Sequence, residues 1–470
     1  MDLRKWQSEC LRHAINKYQS GGKHFLCLAT PGAGKTIMAA EVAAKLFALD
    51  LIDFVICFSP SVVIAKDIRT TLEERLGQRF DGLIGAKGGS FTYQGMMYLS
   101  DDIWRLFLSH RVLAIFDEIH HCAGAELDQA NAWGEKIIQN IQHKATFSLA
   151  LTGTPWRSDK TPIALSEYTK SDGKIVCDYI YGLSKAIPDN VCRTPRIVIT
   201  DNNNVTLKHY DGSIDKYESF TALLEASACP YQHIVENKSV IHHMLRQASK
   251  KLSKLRCKNP NAGGLVVASS VKHAQQILAI IQSELKESAV IATYREQDPE
   301  TIIENFKNNS TRWIVSVGMI SEGTNIPRLQ VCCHLTRIKT ELHFRQILGR
   351  ILRVNRPEPQ EGYLFMPAES NLITYAERAA EDIPDENAVI SFETSPASIT
   401  VDELESNSAL DKEHIPTKNF LQVPTLTIDA SPDHNKPTEE NSLSKAYEAS
   451  LNVFGKFSQN MLCLNFSAFD

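Results

Sequence analysis

Short, unbroken apolar runs alternate with longer stretches of helical periodicity through most of the chain. Phe25–Leu28, Phe54–Phe58, Val112–Phe116 and Ser148–Leu151 occupy the first third. After a gap come Leu265–Ala268, Val290–Ala292, Trp313–Val317, Val331–Leu335 and Tyr363–Met366. Strands buried on both faces of a parallel sheet have this appearance, and the segments between them have the length and period of covering helices. The pattern predicts two doubly wound α/β domains in series, each a mostly parallel sheet flanked by helices. The stretch from about Arg157 to Ala262 is less regular. It holds turn-prone pieces, Asp201–Asn204 and Asp211–Ser213, and then a basic helical segment with Lys238, Arg246, Lys250, Lys251, Lys254, Arg256 and Lys258. That charge run reads either as a solvated helix face or as a nucleic-acid surface. Beyond about Asn371 the strand pattern stops. Pro, Ser, Thr, Asn and acids fill Glu381–Ser450, a composition that cannot bury enough surface to order itself. The last residues, Leu451–Phe454 and Met461–Phe466, turn apolar again, as either an element that docks on the body or a hook for a protein partner. The expected organisation is therefore a first domain over 1–175, an irregular and helical connector over 176–258, a second domain over 259–375 and an acidic tail over 376–470.

Composition narrows the class. A chain of 470 residues with 43% apolar and 22% charged residues is expected to form more than one globular core. No run of about eighteen apolar residues is present, and the N-terminus has no secretory apolar region, so a cytoplasmic protein that does not span a membrane is expected. Eleven cysteines without a C-x-x-C pair point to buried thiols in a reducing compartment, away from a disulfide framework or a zinc ribbon. The net charge of −5 divides unevenly. Glu381–Ser450 carries fifteen acids against four lysines, which leaves residues 1–380 with an excess of six positive charges. A mildly basic body is compatible with a polyanionic partner.

The chemistry concentrates where predicted strands end. Between the strand Phe25–Leu28 and a helix from Ile37 lies Ala29-Thr30-Pro31-Gly32-Ala33-Gly34-Lys35-Thr36. A glycine-rich turn at that junction leaves backbone N–H groups free to surround phosphate oxygens at the positive end of a helix. Lys35 would reach the terminal phosphates and Thr36 would offer a hydroxyl to Mg²⁺. Ala29 stands where the strict pattern has glycine. The strand Val112–Phe116 runs into Asp117-Glu118-Ile119-His120, where one carboxylate, Asp117, can hold Mg²⁺ and the next, Glu118, can activate water. Standing alone, this motif is also compatible with a solvated loop. Thr152-Gly153-Thr154-Pro155 follows the next strand, and suits a plain turn as well as a functional one. Gln346-Ile347-Leu348-Gly349-Arg350-Ile351-Leu352-Arg353 places Arg350 and Arg353 on one helix face, able to spread charge on a transferring γ-phosphoryl group or simply exposed to solvent.

Taken in order, these motifs resemble those of the superfamily 2 helicases over about residues 1–370. The resemblance implies two tandem RecA-like domains with ATP and Mg²⁺ bound between them. It implies that Gln7, in Leu3-Arg4-x-x-Gln7, contacts adenine, and that Thr30, Pro31, Gly32, Ala33, Gly34, Lys35 and Thr36 cradle the phosphates. Thr36 and Asp117 would hold Mg²⁺, Glu118 would activate water, and Gln346, Arg350 and Arg353 would complete the site, with Gly323 of Val317–Pro327 beside the nucleotide. Ser59-Pro60-Ser61 and Thr92-Tyr93-Gln94 look like motifs that touch a nucleic-acid backbone, so Ser59, Pro60, Thr92, Tyr93 and Gln94 are the expected contacts. Leu265–Ser269 resembles a further motif of the set. The Thr-Gly-Thr-Pro form, His120, and Ser321–Pro327 look closest to bacterial and phage DNA helicases and to motor subunits of restriction or defence systems. The expected activity is an ATP-dependent helicase or translocase, on DNA ahead of RNA. The alternatives are an RNA remodeller and a nucleotide-switched assembly subunit that presents its tail to a protein. No nuclease, methyltransferase or zinc module is recognisable, nor a third globular domain to act as a wedge.

Overall fold

The computed structural model describes residues 3–124, 130–157, 159, 161–171, 173–209, 212–320, 324–354, 360–380 and 450–463. In the first domain, β1 (His24–Ala29), β2 (Phe54–Ser59), β3 (Gly88–Thr92), β4 (Val112–Asp117) and β5 (Phe147–Thr152) build one sheet. Two-residue strands β6 (Glu167–Tyr168) and β7 (Ile175–Val176) pair with each other, and β8 (Tyr179–Tyr181) rejoins the sheet. The spatial order is β3-β2-β4-β5-β1-β8 and every pair is parallel.

Successive residues of these strands feed opposite cores, which is why they read as continuous apolar runs. Phe25, Cys27, Val55, Cys57, Leu113 and Ile115 meet the helices Lys5–Gln19, Lys35–Ala48 and Val62–Leu76 through Cys10, Met38, Val42, Ile68 and Leu72. Leu26, Ile56, Phe58, Ala114 and Phe116 face the other side, against Met96, Phe107, Ile137 and Ile141. No apolar run announces β3, whose first residues are Gly88 and Gly89. There a Cβ on Gly88 would lie 1.8 Å from the Val55 carbonyl oxygen, so only glycine allows the strands to pair.

The second domain begins inside the stretch read as a connector. Its strands are β9 (Thr194–Asn202), the hairpin β10 (Val205–Lys208) and β11 (Ile214–Tyr217), then β12 (Gly263–Ala268), β13 (Ala289–Ala292), β14 (Trp313–Ser316), β15 (Leu329–Leu335) and β16 (Glu361–Pro367). Two more come from the end of the chain, β17 (Ser450–Val453) and β18 (Phe457–Cys463). The larger sheet runs β13-β14-β12-β15-β16-β9-β18, parallel except for the last pair, and β11-β10-β17 form a small antiparallel sheet. The helix Lys238–Arg256 packs on β15 and β16 through Val240, Ile241, Met244, Leu245, Ala248 and Leu252. Its Lys238, Arg246, Lys250 and Lys254 are exposed, while Lys251 sits 3.9 Å over the Tyr363 ring. This charge run therefore lies along the outer face of a packed helix.

The apolar segment near the C-terminus docks on the body. β18 pairs antiparallel with β9 from Asn202↔Phe457 to Arg196↔Cys463, and the Asn237 side chain donates to the Leu451 carbonyl at 2.9 Å. The acidic stretch 381–449 lies outside the described residues, as do Leu464–Phe466. Among the described residues no helix is long and apolar enough to cross a membrane.

Two buried histidines in this domain make a testable link to pH. His273 Nδ1 accepts the Ser269 N–H at 3.2 Å, and burial pushes its pKa down from 6.5 to about 4. His334 has no partner for either ring nitrogen, and burial, with His343 nearby, lowers it to about 3. A depressed folded-state pKa means the unfolded chain binds the proton first. Stability is then complete above pH 6.5 and declines as pH falls towards about 4 and 3. Denaturant melts across that range should show the decline, and His273→Asn, whose Oδ1 can take the Ser269 N–H, should flatten it.

Candidate active site

Because the first sheet is parallel, its strand ends deliver their loops to one edge. β1 and β5 are in register from His24↔Ser148 to Leu28↔Thr152, and β5 and β4 continue to Asp117↔Leu151. The turn after β1, the acids after β4 and the Thr-Gly-Thr turn after β5 are thus side by side. Gly32 (φ 82°) and Gly34 (φ 95°) both adopt left-handed backbone, and neither has room for a Cβ. On Gly32 it would meet Arg353 Cγ at 2.9 Å, and on Gly34 it would meet Gln7 Nε2 at 2.8 Å. Sequence supplies glycine at both places for conformation and for close approach.

The second domain reaches the same place. The helix Glu341–Ile351 packs on β15 and β16, and its Gly349 faces Pro31, where an added Cβ would stand 2.9 Å from Pro31 Cγ. A cavity of about 320 Å³ lies between the domains. Gly32, Gly34, Lys35, Thr36, Asp117 and Glu118 line it from the first domain, and Asn325, Gln346, Arg350 and Arg353 from the second. This size suits a small-molecule ligand. Arg350 Nη1 donates to the Thr324 carbonyl at 2.6 Å and Arg353 Nη1 to Asn325 Oδ1 at 2.5 Å.

The two adjacent acids have opposite electrostatics. Burial, and then the charge of Glu118, push the Asp117 carboxyl up to about 7, against the pull of Lys35. Burial would raise Glu118 too, but Lys35 at 3.2 Å, His120, and the Gly153 N–H at 3.0 Å hold it well below the usual carboxylate range. Glu118 takes a left-handed backbone (φ 51°), a strained state for a residue with a Cβ and one that collects at functional sites. Thr152 Oγ1 joins the set, 3.3 Å from Glu118 Oε2 and 3.0 Å from His120 Nδ1. Asp117 Oδ1 is buried without a partner. Among the described residues no three His, Cys, Asp or Glu cluster as a metal cage. An orphaned carboxylate oxygen sharing a cleft with the Thr36 hydroxyl fits Mg²⁺, which takes few protein ligands and completes its shell with water and phosphate.

Several expected residues lie elsewhere. The Gln7 amide is engaged within the protein: Nε2 donates to the Gly34 carbonyl at 2.9 Å and Oε1 accepts the Arg4 N–H at 2.8 Å. It braces the phosphate turn from behind, together with Arg4, whose Nη1 donates to the Ala33 carbonyl at 2.7 Å. Ala33 and Thr30 are buried beneath the turn and do not line the cavity. Tyr93 is not a surface contact. Its ring is fully buried against Trp133 and its hydroxyl donates to the Asp117 carbonyl at 2.8 Å, so it supports the acidic turn. Ser59 is fully buried too, donating to the Ser61 carbonyl at 3.2 Å. Thr92 caps the short helix Tyr93–Met96, Gln94 is exposed, and Pro60 borders the cavity. Gly323 lies outside the described residues.

Sequence reading missed Arg4 and the buried Arg193. Arg193 donates to the carbonyls of Pro327, Leu329 and Ile351 and to Gln360 Oε1, and burial lowers its pKa to about 9. It ties the segment bearing Asn325 and Pro327 to the end of the helix bearing Arg350. Bonds to main-chain carbonyls carry no sequence motif, so nothing in the residues marks this one.

A glycine turn with two acids on one domain faces a Gln/Arg helix on a second across a shared cleft, an arrangement with the layout of a two-domain nucleotide site. One family model, described as type III restriction enzyme, res subunit, matches residues 1–157, and another, helicase conserved C-terminal domain, matches 247–355. An uncharacterized protein of Mycobacterium tuberculosis is 29% identical over 402 residues, covering 80% of this chain and 62% of that protein. The chain thus spans less than two thirds of that relative. The DNA 3'-5' translocase XPB2 of Sulfurisphaera tokodaii is 23% identical over 392 residues, 75% of this chain and 79% of that one. A solved fragment assigned to the HsdR subunit of a type I restriction enzyme from Vibrio vulnificus has the same fold with a TM-score of 0.53 at 16% identity, covering 80% of this chain and 66% of that one. The ATP-dependent type ISP restriction-modification enzyme LlaBIII, solved bound to DNA, also reaches a TM-score of 0.53 at 12% identity, with coverages of 82% and 30%. Both matched models describe helicase domains, and the chain is thus similar in sequence and fold to superfamily 2 helicases, those of restriction systems among them.

The Pro31–Gly349 contact gives a clear test. In Gly349→Ala the new methyl meets Pro31 at the junction, and overpacking of this kind costs about 1–3 kcal/mol. Inside a helix, alanine is favoured over glycine by about 1 kcal/mol. ATP turnover should therefore fall about tenfold or more while the melting temperature of the second domain holds or rises. Loss of both together would mean that the glycine serves the domain's own core.

Proposed function

We propose that this protein is an ATP-driven translocase acting on DNA, and that the cleft between its two domains is the hydrolytic site. The observation carrying this reading is that Lys35, Thr36, Asp117 and Glu118 share one cavity with Gln346, Arg350 and Arg353. Lys35 pairs with Glu118 at 3.2 Å and donates to the Ala29 carbonyl at 3.0 Å. Triphosphate entering the turn would draw the ammonium away, and Glu118 would remain held by the Gly153 N–H. Losing its cation raises the proton affinity of Glu118, which suits it to take a proton from the attacking water. Asp117 and Thr36 would hold Mg²⁺, which when bound supplies charge neutralisation on the phosphate oxygens. Gln346 positions the water or the γ-phosphate, and Arg350 and Arg353 stabilise the charge that develops on it. Groups drawn from both domains make the closed cleft the form that binds ATP best, so hydrolysis releases closure and a nucleic acid lying across both domains is displaced.

We take DNA as the substrate because one relative carries the name of a DNA translocase and one restriction enzyme of this fold was solved on DNA, while another fold neighbour was solved on single-stranded RNA. The contacts would lie along the carboxyl ends of β2 and β3, where Pro60, Thr92 and exposed Gln94 stand, and would go mainly to phosphate and sugar. Steady-state ATPase assays with single-stranded DNA, duplex DNA and RNA test the reading. Stimulation by DNA that weakens steeply with salt is expected. Stimulation by RNA alone would reassign the substrate, and none by any polymer would remove the motor. Glu118→Gln and Arg350→Ala should keep ATP binding and lose about 10²-fold or more of turnover. Full activity in both would defeat the assigned roles.

A further inference from the structure

The face of the helix Glu341–Ile351 that meets Trp156 makes a contact that the hydrolytic scheme leaves unused. Trp156 follows the Thr152–Pro155 turn of the first domain. Arg345, on the second, places its guanidinium carbon 5.1 Å from the centre of the Trp156 ring. We propose that Trp156 and Arg345 are positioning residues forming an interdomain latch that couples the turn holding Glu118 to the helix carrying Gln346 and Arg350. The proposal rests on reading the cleft as an ATP-hydrolysing site.

The cation is aimed before it meets the ring. Arg345 Nε donates to Glu341 Oε1 at 2.9 Å and Nη2 donates to the Arg378 carbonyl at 2.8 Å. Arg378 itself reaches Glu341 Oε2 at 3.3 Å, so one buried carboxylate faces two guanidinium groups. With its N–H groups so directed, the Arg345 guanidinium presents its cation to the negative face of the indole, a suitable neighbour for it. The indole contributes that face alone: Trp156 is 6% exposed and its Nε1 has no hydrogen-bond partner, a cost that a tryptophan normally avoids when buried.

Trp156 is rigidly connected to the acidic turn. Before it, Thr152 Oγ1 bonds Glu118 and His120, and Gly153 N–H bonds Glu118. After it, Arg157 Nη1 donates to the His120 carbonyl at 2.6 Å. A shift of the indole is therefore a shift of the group that holds the water-activating carboxylate. On the other domain, Arg345 directly precedes Gln346. Arg345, Thr154, Leu348 and Gly349 line a second, small cavity between the domains, so little filler separates the two strings of contacts.

The test reads closure directly. Fluorescent probes introduced at exposed Tyr98 and Lys254, one on each domain, report separation with and without ATP. Trp156→Leu and Arg345→Met should each lower the closed population about tenfold, the double variant should fall no further, and Trp156→Phe should recover most of it. Nucleic-acid-stimulated kcat should follow closure, with KM for ATP moving less than about twofold. Wild-type closure in either single variant, or additive losses in the double, would overturn the latch. If Trp156→Leu does not fold, Arg345→Met and Trp156→Phe still decide the matter. A wild-type protein that closes normally yet ignores every nucleic acid would sink the motor reading, and the closure data would still judge the latch.

Discussion

Two separate sheets can share one narrow cleft only if the loop of one comes into direct contact with the end of a helix of the other. Pro31 against Gly349, and Gly32 against the stem of Arg353, are those meetings. Neither position has space for one more carbon atom. The arrangement is held from both sides: Arg4 and Gln7 bind the carbonyls of Ala33 and Gly34, and Arg193 binds the carbonyls that flank the opposing helix. Backbone conformation at two glycines, side chains spent on main-chain oxygens and the parallel register of β4, β5 and β1 thus answer to one demand, the width of a cleft.

Within that cleft the two neighbouring acids differ because of their surroundings. Asp117 is buried beside a charged neighbour and keeps its proton easily, whereas Glu118 leans on Lys35, His120 and a backbone amide. Environments that separate the proton affinities of adjacent carboxyls are how one turn can host two tasks. The left-handed backbone of Glu118 belongs to the same design, since it turns the chain out of the sheet between the two side chains.

Much of this was legible in the residues. Runs such as Val112–Phe116 are buried on both faces and have no other plausible fate, and the phosphate turn and Asp117-Glu118 follow their strands directly. What escaped had no periodic signal. β3 pairs through two glycines, and β9 carries Pro195, Arg196 and Asp201 among its apolar residues, so it read as connector. β18 follows a long acidic stretch and is itself half polar. In the site, Tyr93 and Ser59 resembled residues of surface motifs, but resemblance does not say which way a side chain points. Gln7, read as an adenine contact, has its amide engaged by the Gly34 carbonyl.

The docking of β18 has an effect on how the chain is made. Asn202 must wait for Phe457 before the outer edge of β9 is paired, and β10 to β17 with the long acidic stretch are synthesised in between. Contacts this distant in sequence form slowly, and an unpaired strand edge invites pairing with another chain in the interval. The nascent second domain therefore leaves the ribosome with a bare flank, and its most vulnerable moment falls before its final segment arrives.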